Sequence, residues 1–195
     1  MSAKPLYFVL LSLTFLKSAQ AADWVMDIAY AWGGNRLITV EDRYYNDYYN
    51  DEYSHSESVR AGSGFSGSVG KMLSIDDEIG LQLNAGYKVD GLVRSEENAT
   101  FDRWTFDALA WAFVDDIRLG IGATYEVNPE LDLTDLHEGI EQFDDAEGLI
   151  GQIDVALGSH LMFGLRYTAI EYESLDFPGE VLNGDNVSMR MTIWF

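Results

Sequence analysis

From Trp24 onward the chain alternates. Trp24, Met26, Ile28, Tyr30 and Trp32 fall on one side of an extended backbone, and Asp23, Val25, Asp27, Ala29, Ala31 and Gly33 fall on the other. A period of two belongs to a β-strand with one apolar face and one polar or small face. The period returns in 79–91, where Ile79, Leu81, Leu83, Ala85, Tyr87 and Val89 oppose Gly80, Gln82, Asn84, Gly86, Lys88 and Asp90. It returns in 117–127, with Ile117, Leu119, Ile121, Ala123, Tyr125 and Val127 against Arg118, Gly120, Gly122, Thr124 and Glu126. Residues 59–70, 103–114, 149–157, 160–170 and 186–195 carry weaker versions, so eight strands are predicted. The Gly- and Ser-rich stretch 59–70 has the least defined register. In 103–114, Trp104 and Phe106 are out of phase with Leu109, Trp111 and Phe113. A bulge near Asp107 or an aromatic-filled interior would each account for that slip.

The connections alternate as well. The second and third strands are joined by LSIDDE, the fourth and fifth by Asp115-Asp116, and the sixth and seventh by Gly158-Ser159. The other four connections are long, at roughly 35–58, 93–102, 128–147 and 173–185. An even number of strands with tight turns at one end and long loops at the other is the layout of an outer-membrane barrel. Strands of this length can cross a bilayer when tilted, and the sheet must close because lipid pairs with no free edge. The predicted fold is therefore all-β, an eight-stranded antiparallel up-and-down transmembrane β-barrel.

A soluble eight-stranded barrel is the competing architecture, and the strand composition decides against it. Asp27, Arg60, Lys88, Asp107, Arg118, Asp154, Arg166 and Arg190 share their strand faces with small residues such as Gly80, Gly86, Gly120 and Gly164. If that face met water, the Trp, Tyr, Ile and Leu of eight strands would have to fill an interior barely wide enough for ordinary side chains. The apolar face is expected to meet lipid instead.

Composition changes the picture mainly through charge and compartment. Residues 1–21 combine Lys4, the run PLYFVLLSLTFL and an Ala19-Gln20-Ala21 ending, the pattern of a secretory leader. The run is interrupted at Lys17, too short to span a bilayer as a helix. The barrel then occupies 22–195. Acids outnumber bases 33 to 12, a formal charge of −21, and the leader would remove two of the bases and none of the acids. This balance opposes a nucleic-acid partner, whose phosphates need clustered Lys and Arg. Without cysteine there is neither disulfide nor thiolate chemistry. Most of the acid falls in the long connections, and 128–147 alone holds eight carboxylates. The result is an almost neutral barrel under an acidic crown. That crown repels anionic lipopolysaccharide unless divalent cations bridge the two.

The chain ends Met189-Arg190-Met191-Thr192-Ile193-Trp194-Phe195, alternating and closed by an aromatic residue. This segment resembles the C-terminal signal strand of bacterial outer-membrane proteins. GLRYTAIEYE, a short acidic loop and this final strand are together similar to the end of small OmpA/OmpX/OmpW-like eight-stranded barrels. The resemblance implies outer-membrane localisation, recognition of Met189, Met191, Ile193 and Phe195 by the barrel-assembly machinery, and contact with outer-membrane lipids and lipopolysaccharide. A monomer is expected. Fold does not assign function here, since such barrels act as membrane fillers, adhesins, conduits and enzymes.

Candidate chemistry is sparse. Arg60, Lys88, Arg118, Arg166 and Arg190 meet Asp27, Asp90, Asp107, Glu126 and Asp154 on the inward face, five against five. A paired salt-bridge network filling the lumen is the expected reading, because buried charges need partners. A catalytic acyl hydrolase would need a nucleophile beside a base. His55-Ser56-Glu57-Ser58 is the nearest approach, in a stretch expected to be loop, while His137 and His160 also fall in connections. No catalytic residue, cofactor or fixed metal site is assigned. Divalent cations at the acidic loops remain an expectation from their oxygen-rich composition. The rings of Trp24, Trp32, Tyr87, Trp104, Tyr125, Tyr167 and Phe195 are read as interface girdles. The preferred function is a structural or surface-interaction barrel with a plugged polar lumen. A narrow conduit for small or hydrophobic solutes comes second, and lipid A hydrolysis third.

Overall fold

The computed structural model describes residues 22–46, 51–91, 99–134, 139–177 and 179–195. The expected leader, 1–21, lies outside them. The described residues form β1 (Ala22–Gly33), β2 (Arg36–Asn46), β3 (Asp51–Arg60), β4 (Gly64–Ser74), β5 (Ile79–Gly91) and β6 (Thr100–Val114). They continue through β7 (Ile117–Leu133), β8 (Gly139–Gln142), β9 (Ala146–Ala156), β10 (Leu161–Glu173), β11 (Val181–Asn183) and β12 (Asn186–Trp194).

Eight of these strands run around a closed antiparallel ring in the order β1, β4, β5, β6, β7, β9, β10, β12. β12 returns to β1 from Val25↔Trp194 to Gly33↔Asn186. Beyond that ladder, Trp24 and Phe195 exchange two backbone hydrogen bonds of 3.0 Å. The closed ring leaves no edge to be satisfied by lipid. Exposure alternates residue by residue along β5 and β10, as a period of two requires. Ile28, Phe65, Leu83, Phe106, Ile121, Ile153, Leu165 and Met191 all point outward and exposed, forming an apolar belt of the kind that faces hydrocarbon.

Three expectations are corrected. The second barrel strand runs 64–74, not 59–70, so Val59 and Arg60 end β3 and the chain breaks at 61–63. Gly64 enables that break: its φ is 122°, and a Cβ there would lie 2.3 Å from the Val89 carbonyl oxygen. The long connections also contain strand. Within 35–58, β2 and β3 pair antiparallel as the arms of a hairpin, and 128–147 extends β7 and supplies β8. Leu131 and Leu133 alternate inward there, and that period was overshadowed in the sequence by the surrounding carboxylates.

The slip in 103–114 resolves as an aromatic-filled lumen. Arg103, Asp107, Leu109 and Trp111 are buried, Trp104 and Phe106 face out, and the ladder to β7 is unbroken from Trp104↔Val127 through Asp107↔Thr124 to Val114↔Ile117. Gly120 makes the room, since a Cβ on it would meet the Trp111 ring at 2.6 Å. The register shift lies between Asp102 and Trp104, opposite Asn128, whose φ of 49° marks the bulge.

Candidate functional site

The interior is layered. Near the tight-turn end Val25, Met72, Leu109, Trp111 and Ile150 form a buried apolar cluster with Phe113 packed against it. Arg118 bridges this cluster and the polar middle: its guanidinium lies 4.1 Å from the Trp111 ring centroid and 2.6 Å from Asp154. Glycine at 164 makes room for this pair, because a Cβ there would fall 1.8 Å from Asp154 Oδ1.

The middle is a hydrogen-bonded charge network. Arg166 Nη1 lies 2.5 Å from Asp107, and Arg190 Nη2 lies 3.6 Å from Asp27. Gln152 Oε1 accepts from both Arg166 Nε at 2.7 Å and Arg190 Nη1 at 3.1 Å, while its Nε2 donates to Asp154. Asp27 collects Ser68, Gln82, Asn84 and Thr192 as donors. A cavity of about 40 Å³ remains among Lys88, Asp107, Glu126, Arg166, Arg190 and smaller polar residues. Above it, Arg103 pairs with Glu126 at 3.1 Å and donates to the Ala61 carbonyl at 2.8 Å, while the Tyr172 hydroxyl donates to Glu126 at 2.5 Å.

Over this network the mouth is filled with apolar side chains. Val59, Ala61, Ala99, Phe101, Leu131, Leu133, Phe143, Ala146, Ile170 and Tyr172 form one buried cluster, joined by Leu37, Ile38 and Leu182. Phe101, Phe143 and Tyr172 meet edge to face at 5.5–6.4 Å. The hairpin thus delivers Val59 into the cap from above.

Eight of the sequence-selected lumen residues lie buried inside the ring: Asp27, Lys88, Asp107, Arg118, Glu126, Asp154, Arg166 and Arg190. Two do not. Arg60 stands at the end of β3, half-buried, because the chain has left the barrel wall there; its N–H donates to Asp90, itself only half-buried at the rim. The residue missed was Arg103, fully buried, whose sequence parity with Asp107 carried the signal. Gln82, Asn84, Gln152 and Tyr172 also belong to the network and carry no charge by which to notice them.

Outside, all seven girdle rings are exposed. The Tyr125 hydroxyl donates to Asp145 at 2.8 Å and that of Tyr167 to Asp185 at 3.0 Å. Asp185 also accepts the Ile170 N–H, chiefly which holds its carboxyl below the ordinary range. Met189, Met191, Ile193 and Phe195 face outward on the seam strand and its end. A groove of about 620 Å³ lies in the outer wall above the girdle, between the 143–147 segment and β10, with Asp144, Asp145, Glu147, Glu171 and Glu173 on its sides. Among the described residues no group of three or more His, Asp or Glu is arranged to hold a metal. His55 and Ser56 are strand residues opposite Asp42 and Glu41, not loop, and His160 is exposed at a turn. His137 lies outside the described residues.

No family model matches the chain, and no curated protein matches it by sequence. The fold does match solved structures. Neisserial surface protein A (NspA) is 11% identical with a TM-score of 0.53, over 92% of this chain and 100% of that one. Ail, the attachment invasion locus protein of Yersinia pestis, is 10% identical with a TM-score of 0.50, over 89% of this chain and 97% of its own. The chain is thus a small barrel with the fold of bacterial outer-membrane proteins.

Proposed function

We propose that the chain is an outer-membrane barrel that conducts nothing through its lumen and acts, without catalysis, through its extracellular crown. The observation that supports this is the layering of the interior. A solute would have to pass the cap around Phe101 and Tyr172, then four buried ion pairs, then the cluster around Trp111. Paired charges of this kind close a narrow lumen and do not line a water path. The two similar proteins, a surface protein and an attachment invasion locus protein, agree in kind.

The partners follow from the surfaces. Outer-membrane lipid covers the apolar belt and lipopolysaccharide meets the ring of carboxylates above it, bridged by divalent cations that offset like-charge repulsion. The outward Met189, Met191, Ile193 and Phe195 serve the barrel-assembly machinery, and the protein works as a monomer after removal of residues 1–21. Planar-bilayer recording on refolded protein tests the central claim. Quiet bilayers are expected, and reproducible single-channel steps would overturn it. Release of fatty acid from outer-membrane lipid, lost on changing His55 or Ser56, would overturn the non-catalytic reading.

A further inference from the structure

The buried charges inside the barrel do not balance. Lys88, Arg103, Arg118, Arg166 and Arg190 are buried cations, and the buried anions are Asp27, Asp107, Glu126 and Asp154. Arg60 and Asp90, which evened the count along the sequence, are both only half-buried at the rim, where Asp90 accepts from the backbone N–H of Arg60 and the Arg60 guanidinium donates to the Gly34 carbonyl. Counted on buried side chains alone, cations outnumber anions by one, in a low-dielectric interior where a full uncompensated charge would be costly.

The surplus has a place. Arg166, Arg190 and Lys88 line the same cavity of about 40 Å³, and about 10–15 Å³ is room enough for one water-sized species. Gln152 Oε1 accepts from both guanidiniums, so two like charges are drawn together on one amide oxygen. Each retains a buried donor with no partner among the described residues, Nη2 of Arg166 and Nε of Arg190. Their counter-charges are weakened in different ways. Asp107 is taken by Arg166 Nη1, and Asp27, 3.6 Å from Arg190, is shared among four neutral donors. Lys88 makes no ion pair among the described residues, its ammonium donating to the Gly62 carbonyl at 2.8 Å.

We propose that the middle of the lumen binds one small monovalent anion, of halide size, on the free donors of Arg166 and Arg190. The anion neutralises the fifth cation, separates the two guanidiniums and satisfies both orphaned donors. Apolar clusters at either end keep it from bulk exchange, so it is taken up as the barrel closes. This goes beyond the proposed function and does not rest on it.

The test uses bromide. Protein refolded and crystallised with bromide as the only halide is examined for anomalous scattering at the bromine edge. The expected result is a single lumen peak in contact with Arg166 and Arg190. A lumen holding only water, with bromide confined to the surface, overturns the proposal. Lys88→Met removes the surplus charge without touching either arginine, and the lumen peak is expected to vanish while heat-modifiable migration on a gel is kept. A peak that survives in that variant overturns the charge-balance argument, and the unsubstituted protein decides alone if the variant does not fold.

Discussion

Along β10 the same alternation means opposite things at its two ends. In the membrane part Phe163, Leu165 and Tyr167 face outward while Gly164, Arg166 and Thr168 face in; farther on, Glu171 and Glu173 face outward while Ile170 and Tyr172 face in. β7 does likewise, with Arg118, Thr124 and Glu126 inside the span and Leu131 and Leu133 inside the cap. The period runs unbroken along β10, and in β7 the bulge at Asn128 shifts its parity by one residue. What changes is the medium beyond the outer face, from hydrocarbon below the tyrosine girdle to water above it, and the inner face takes whichever residues that medium would reject. The lumen is therefore an inside-out interior under a conventional one, and the two should respond differently to substitution.

The largest expected effects come from unpairing a charge in the lower interior. Arg118→Ala leaves Asp154 buried without its cation and should cost about 3–5 kcal/mol, read as a lowered urea midpoint in detergent. Replacing both residues with apolar ones of similar size should recover most of that loss, which would show that the pair itself adds little. In the cap, Phe101→Ala should cost a similar 3–5 kcal/mol, roughly, through a cavity and not a charge. No apolar partner change would be expected to rescue it. Equal rescue at both sites would erase the distinction.

The outer face sharpens the comparison. Leu165→Arg puts a charge in the apolar belt and should cost about 2–4 kcal/mol near mid-bilayer, while Glu173→Arg on the same strand should stay within about 0.5 kcal/mol. Similar costs would mean that the girdle does not mark the boundary. Gly164→Ala is a smaller perturbation of the lumen, about 1–3 kcal/mol, because the new methyl must displace the Asp154 carboxylate. The weakest expected effect is at the exposed rim. Asp185 has a lowered pKa in the fold, so its contribution is present above the ordinary carboxylate value and is lost as pH falls through the folded one. The native protein should keep a slight advantage over Asp185→Asn near neutrality and lose it below about pH 4, in midpoints measured across that range.

Much of this was legible in order of residues alone. A side chain's face in a strand is set by parity, so Trp24 to Trp32, Leu81 to Tyr87 and Ile117 to Tyr125 announced the lipid-facing wall, and mid-strand Lys88, Arg118 and Arg166 announced a polar lumen. Parity also carried Arg103 with Asp107, although the outward Trp104 and Phe106 drew attention from it. The hairpin and the upper reaches of β7 were harder to see, because a carboxylate-rich strand in water reads like a loop when only its outer face is considered.

The sequence by itself determined the periodicity, the number of crossings and the face that meets lipid, since these depend on local spacing and on what hydrocarbon excludes. Only the tertiary structure decided which charges meet. Arg60 and Arg166 are alike as letters, but the chain leaves the wall at 61–63 and carries Arg60 out to the rim, while Gln152 draws Arg166 against Arg190 from 14 and 38 residues away. Electrostatic balance is a property of distances across the closed ring. Five against five in the chain became five against four in the lumen when the ring closed.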